Sequence, residues 1–342
     1  MEINKQKLIN LLEELKPGLS NKEILEQSNT FGFINNKIVT YNDSISIQAP
    51  IDLNLNGAVD ALKFYQIINK IKPNKKENIV LELENDQLII KSKKQKSGLI
   101  FQNECKLPLE EINLEGKWKK LPNLFKEVIK LVVTCCSNNY TRPILTCVYI
   151  DQNTIKAGDS TRVIKFTINT KFKTEVAIPK QTILHLLKYD ITHYMLDENW
   201  IHFKTDNIIF SSRIINEKYP NVNHLFDVKG EELEFPDKII ESIEKAEIFS
   251  QTDLSDDTLI QIIINDNILT IKSENNLGWF EEKMKIKSNI NTTFYTNPKF
   301  LINILKTMKK CIITHEEDKE RIKFTGDNWE HIIAIDPINK DQ

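Results

Sequence analysis

The chain has 342 residues, 40% hydrophobic and 27% charged, with a formal net charge of −2. At roughly 100–200 residues per domain, that length predicts two or three domains of ordinary globular composition, neither disordered nor membrane-embedded. The longest mostly apolar runs, such as residues 259–264, fall far short of the ~18 residues of a membrane helix, and Glu2, Glu13 and Glu14 interrupt any signal peptide at 1–17, so a cytoplasmic protein with no membrane partner is expected.

Apolar residues at helical spacing predict six short helices. Residues 4–16 carry Leu8, Leu11, Leu12 and Leu15 on one face, and residues 58–72 carry Leu62, Tyr65, Ile68 and Ile71. The third prediction spans 117–133, striped by Leu124, Val128, Leu131 and Val132. Pro179, Pro236 and Pro298 open the remaining three, each as a good first-turn residue. The starts are about 55–60 residues apart, the mark of an internal repeat.

A pair of β-rich runs joined by an Asn, Asp or Glu turn follows each helix: 30–34 with 37–41, 79–84 with 87–92, 148–150 with 154–157, 194–196 with 200–204, 259–264 with 268–272, and 311–314 with 321–324. Further strands are expected at 44–49, 99–102, 163–168, 208–214, 279–286 and 331–335. The expectation is an α+β chain of six helix-plus-four-strand units, paired into three domains at 1–115, 116–229 and 230–342, with polar, glycine-bearing breaks between them. Three unrelated α+β modules are the rival reading.

Charge is distributed unevenly over these units. The six helical segments carry +1, +2, +4, +2, −2 and +4, or +11, so strands and loops carry −13. If equivalent helices share one side of an assembly, that side is a positive lining able to hold a polyanion although the protein is not basic overall. Solvation of amphipathic helices by lysine is the alternative.

Catalytic patterns are weak. There is no phosphate-binding, dinucleotide-binding, nucleophile-elbow or zinc-protease motif. His185, His193, His202, His224, His315 and His331 are scattered, with only His193 and His202 flanking one predicted hairpin. Cys105, Cys135, Cys136, Cys147 and Cys311 are odd in number and include no C-x-x-C pair, so they read as reduced thiols. Acidic groups at Asp253, Asp256 and Asp257 and at Glu316, Glu317 and Asp318 fall in predicted turns. A non-enzyme without metal or cofactor is expected.

Four segments carry a resemblance. Asn139-Tyr140-Thr141-Arg142-Pro143-Ile144-Leu145-Thr146, Ala157-Gly158-Asp159-Ser160-Thr161-Arg162-Val163, Ser212-Arg213-Ile214-Ile215-Asn216-Glu217-Lys218-Tyr219-Pro220 and Asn297-Pro298-Lys299-Phe300-Leu301 occur in the order and spacing of motifs of the bacterial DNA polymerase III beta subunit, the DNA sliding clamp family. The third segment is the most specific. The resemblance implies three domains of one clamp fold, a head-to-tail homodimeric ring with helices lining the hole, and a non-catalytic processivity factor for DNA replication. The alternative is a clamp-fold paralogue that binds peptides without encircling DNA. Domains of 115 residues sit on the order of 30 Å apart; three leave a hole of about 5 Å, whereas six leave about 30 Å, wide enough for a duplex.

The resemblance also places sites. Short peptide motifs of the DNA polymerase and the clamp loader would dock at Leu145, Gly158, Ser160, Thr161, Arg162 and Val163, together with Pro220, His224, Leu225, Ile333, Ile335 and Pro337. Simple core packing is the rival reading for Leu145, Val163 and Leu225. Double-stranded DNA would be met, independently of its sequence, by Lys70, Lys72, Lys126, Lys130, Asn139, Lys188, Lys299 and Lys306. Phe101, Ile248 and Phe249 would form the dimer seam, with core packing as their alternative. Ser160-Thr161 stands where the family has Gly-His, and Asp336-Pro337-Ile338 where a Met-Pro-Met-type terminus is expected, which marks a divergent member.

Overall fold

Six helices form where the apolar spacing predicts them: α1 (Lys5–Leu15), α2 (Ala61–Lys70), α3 (Phe125–Val132), α4 (Lys180–Leu186), α5 (Ile239–Glu247) and α6 (Pro298–Leu305). The computed structural model describes residues 1–72, 77–250, 258–288, 290–306, 308–313 and 321–337, excluding the side chains of Asp336 and Pro337. Local chemistry sets several helix starts. The side chains of Asn4, Asp60 and Asn297 accept hydrogen bonds from the backbone N–H groups of Lys7, Lys63 and Lys299, and Pro298 occupies the first turn of α6.

The third helix is shorter than its lysine-rich sequence predicts. It begins at Phe125, and Lys119–Lys120 is instead a two-residue strand. Pro122 explains the difference, because a proline disfavours the α conformation in the residue before it. Lys117, Lys119 and Lys120 therefore leave the helical charge count and lie along a sheet edge.

Hairpin turns follow the polar residues that predicted them. Asn35-Asn36, Asn85-Asp86 and Asp266-Asn267 have positive φ at both central positions, the geometry that matches strand twist. Asp151 and Asp197 close two others by accepting backbone N–H groups two and three residues on.

The chain divides into two compact units, 1–130 with 176–216, and 131–175 with 217–342. In the first, a twelve-stranded sheet passes from the pairs around Asn78–Glu84 through Thr30–Ile34, Lys37–Tyr41 and Ile45–Pro50 into Ile209–Arg213, Trp200–Lys204, His193–Leu196 and Lys119–Lys120. The Ile45–Pro50 ladder with Ile209–Arg213 is as regular as any within a hairpin, which draws part of the predicted middle domain into this unit. Phe64 of α2 packs edge-on against Phe31 and Phe33 at 6.2 and 6.4 Å. The last segment of the first predicted domain covers Tyr41 and Trp200 with Leu107, flanked by Cys105, Leu109 and Ile112.

In the second unit Cys147–Ile150, Thr154–Gly158 and Arg162–Thr167 continue through Trp329–Ala334, Arg321–Thr325 and Lys310–Ile313 to Glu231–Glu234. A second sheet orders Gly278–Lys285, Ile268–Asn275, Ile260–Asn265, Thr292–Thr296 and Asp336–Pro337. Ile239, Ile243, Leu301 and Leu305 from α5 and α6 are buried with Ile262, Ile271 and Phe324 from both sheets. Among the described residues, no helix is long and apolar enough to cross a membrane.

Candidate functional site

The peptide-site candidates gather around the ladder between Arg162–Thr167 and Trp329–Ala334, where Val163 lies opposite Ile332. Val163, Ile332 and Phe226 form a small buried cluster, and Val222, Leu225 and Val228 pack on it half-buried. Leu225 and Phe226 belong to the short helix Asn223–Phe226. Two long cations hold that helix, Arg321 donating to the Leu225 carbonyl at 3.0 Å and Lys323 to the Phe226 carbonyl at 2.7 Å. The carbonyls of a helix end lack intrahelical donors, so these bonds fix the helix against the sheet. Lys165 Nζ adds a cation–π contact, 4.2 Å from the Phe226 ring centroid.

The turn from Gly158 to Arg162 forms a polar rim. Asp159 accepts from the backbone N–H groups of Thr161 and Arg162 and from the Thr161 hydroxyl at 2.9–3.0 Å. A Cβ on Gly158 would lie 2.9 Å from the Arg162 carbonyl, so the turn closes this tightly only with glycine. Arg162 pairs with Asp159 at 3.1 Å, donates to the Thr134 carbonyl at 2.6 Å and stacks 3.8 Å over the Phe300 ring of α6. Ser160, Thr161, Pro220 and His224 are exposed.

Other candidates are placed differently. Ile333 and Ile335 are buried at 0% and 4% exposure within the helix-backed core. Strand alternation is the reason: Ile332 faces the cluster, so its neighbour Ile333 faces the other way. Leu145 is half-buried outside the Val163 cluster. Pro337 pairs through its backbone with Phe294, and its side chain lies outside the described residues. Val222, Phe226, Val228 and Ile332 were not foreseen; the unbroken apolar run of residues 332–335, which fits a strand covered on both faces, was the available signal for Ile332.

Of the cationic candidates, Lys70, Lys72, Lys130, Lys188, Lys299 and Lys306 are exposed. Lys126 is half-buried and paired with Asp190 at 2.9 Å, and Lys299 lies 3.7 Å from Glu247. Asn139 is exposed, its side chain capping the Thr141 N–H.

Phe101 is not a surface residue. It is 2% exposed and packs 6.2 Å from the Phe33 ring, whereas its neighbour Ile100 is 80% exposed. Ile248, just past α5, is 69% exposed, and Phe249 is half-buried beside Gly278. Leu277 and Trp279 extend this apolar surface.

Cys135 Sγ lies 3.5 Å from His331 Nε2 in the buried interior, and His315 lies outside the described residues. His202 is buried between Ser211 at 2.8 Å and Asp197 at 3.1 Å, and burial pushes its imidazole below the ordinary value although Asp197 opposes this. Burial likewise pushes the Cys147 thiol up to about 12, far from a reactive thiolate. Among the described residues, no three His, Cys, Asp or Glu side chains are grouped to hold a metal. The acidic groups at 253–257 and 316–318 lie outside the described residues.

Residues 121–221 match the family model for the DNA polymerase III beta subunit, central domain. The chain is 27% identical over 251 residues to the beta sliding clamp of Mycoplasma capricolum, a match covering 67% of this chain and 65% of that protein. It is 24% identical over 284 residues to the beta sliding clamp of Bacillus subtilis, covering 77% and 72%. The fold is that of the Bacillus subtilis DNA polymerase sliding clamp, with TM-score 0.81, 18% identity and 98% of both chains covered. The DNA polymerase III subunit beta of Pseudomonas aeruginosa superposes with TM-score 0.84 at 15% identity, covering 99% and 100%. The chain thus has the α+β fold of these clamps over its length, and its residues 121–221 match the central domain of the DNA polymerase III beta subunit.

Proposed function

We propose that this protein is a DNA sliding clamp, a non-catalytic processivity factor that closes as a head-to-tail homodimer around duplex DNA and tethers the replicative polymerase. The carrying observation is the joint occurrence of the central-domain match at 121–221 and a fold shared over 98% of the chain with a sliding clamp. In this reading the chain comprises domains at 1–115, 116–229 and 230–342, and a ring contains six. Exposed helical lysines meet phosphates without reading bases, and the ring need not bind tightly, because leaving the DNA requires opening.

Two strand edges support a seam between copies. Among the described residues, positions 95–100 and the Gly278–Lys285 strand are each hydrogen-bonded on one side only. Pairing them across copies would continue both sheets and cover Ile100, Ile248 and Trp279. The Val163 and Leu225 cluster, rimmed by Ser160, Thr161 and His224, suits an apolar peptide anchor with polar guides, as polymerase and loader peptides require.

The test is retention on DNA. Loaded onto nicked circular duplex, the protein should stay bound through gel filtration and be released on linearisation. Loss of retention from intact circles would leave only the peptide adaptor. Ile248→Asp should shift the solution mass toward the 39.8 kDa monomer and abolish retention together.

A further inference from the structure

Three edge strands occupy corresponding places in the sheets, each paired antiparallel to the first strand of a hairpin. Glu2–Asn4 pairs with Asn78–Glu84, Lys119–Lys120 with His193–Leu196, and Glu231–Glu234 with Lys310–Ile313. The first and third are acidic, Glu-Ile-Asn and Glu-Glu-Leu-Glu; the middle one is Lys119-Lys120, preceded directly by Lys117-Trp118. Gly116, just before this run, lies against the Met195 side chain.

Register extends the charge across the sheet. Lys120 lies opposite His193, and His193 opposite Lys204, so the three side chains form one row on one face of neighbouring strands. Trp118, two residues before Lys120, is half-buried with Lys204 Nζ 5.7 Å from its ring centroid. Several lysines on other strands are paired instead, Lys91 with Glu82 and Glu84, and Lys272 and Lys283 with Glu281. Among the described residues, no carboxylate lies within ion-pair distance of Lys117, Lys119, Lys120 or Lys204. Lys120 and Lys204 thus flank His193 from the two neighbouring strands with no carboxylate between them, which leaves two cations on one face free to take an anion.

We propose that this edge is a second nucleic-acid contact, which takes a single-stranded segment. Lys117, Lys120 and Lys204 hold its phosphates, and Trp118 offers a face for an unpaired base. An aromatic ring within a basic row is the arrangement that binds single strands without reading sequence, whereas a duplex keeps its base faces stacked inside and an acidic peptide has none. The site lies on a strand edge rather than on the helices, so it goes beyond the ring reading and does not require ring closure.

The experiment is fluorescence anisotropy of a labelled oligo-dT of about 20 nucleotides with the full chain, over a salt series. The combined variant K117E/K120E/K204E should weaken binding at least about tenfold and flatten the log–log salt slope by about 2, as expected for three lost phosphate contacts. Trp118→Leu should weaken binding about fivefold or more and remove the tryptophan quench seen on titration. Thermal melting confirms that both variants fold, and retention on nicked circular duplex should match the unsubstituted chain. The proposal is overturned if the chain does not bind oligo-dT, if charge reversal leaves the affinity within twofold, or if a poly-glutamate peptide binds in its place. Failure of retention with intact oligo-dT binding would count against the ring and leave this site standing.

Discussion

On one face of the ladder between Arg162–Thr167 and Trp329–Ala334, Ile333 is buried among Ile322, Phe324 and Leu233, closed over by helices. On the other, one residue away, Ile332 packs with Val163 and Phe226 beneath the half-buried Val222, Leu225 and Val228. The two regions share strands, residue types and hydrogen bonds, and differ only in what covers them. Closed packing converts apolar area into stability, whereas the open face leaves part of its apolar area uncovered.

Substitutions on the two faces should therefore separate stability from binding. Ile333→Ala leaves a cavity in a core that cannot collapse freely, and should lower unfolding free energy by about 2–5 kcal/mol in denaturant titration. An equal loss from Leu225→Ala would erase the distinction between the faces.

The closed face should also respond to pH. Burial, reinforced by the nearby Arg162 charge and opposed by Asp159, pushes His331 down to about 3. The folded chain thus keeps this imidazole neutral while the unfolded chain takes up a proton below its ordinary value near 6.5. Stability should fall as pH drops from about 6.5 toward 3, by up to about 1.4 kcal/mol per pH unit from this group. His331→Asn should flatten the decline in melts between pH 7 and 4; an unchanged slope would show that carboxylates alone set it.

Leu225→Ala should have the smallest effect on folding, under about 1.5 kcal/mol, because its side chain is only partly buried. Its affinity for a synthetic peptide carrying two adjacent large apolar residues should drop at least about tenfold in calorimetry. Unchanged affinity would remove the open face from the binding surface.

Much of the fold was legible in sequence order. Apolar residues three and four apart marked all six helices, because each must bury one stripe, and Asn or Asp at hairpin tips marked turns that need positive φ. Lys117 to Lys120 were misassigned to a helix because lysine favours helices and strand edges hardly differently; Pro122 was the local signal that separated them. For Phe101 the sequence left seam and core both open, and the structure puts its ring inside and Ile100 outside. Strand alternation requires one of two neighbours to be buried, and sequence does not say which.

The sequence by itself determined the repeated helix-and-hairpin units, their turn chemistry and the motifs of the central segment, whereas the predicted excess of positive charge on the helices shrank once Lys117, Lys119 and Lys120 fell outside α3. The former depend on residues a few positions apart, within reach of local sterics and hydrogen bonding. Tertiary structure decided which face of each strand is covered, that Ile333 and Ile335 serve the core while Ile332 serves the cleft, and that Lys120, His193 and Lys204 form one row. Such choices depend on pairing between segments as much as about 170 residues apart, whose register is set by the joint burial of whole sheets.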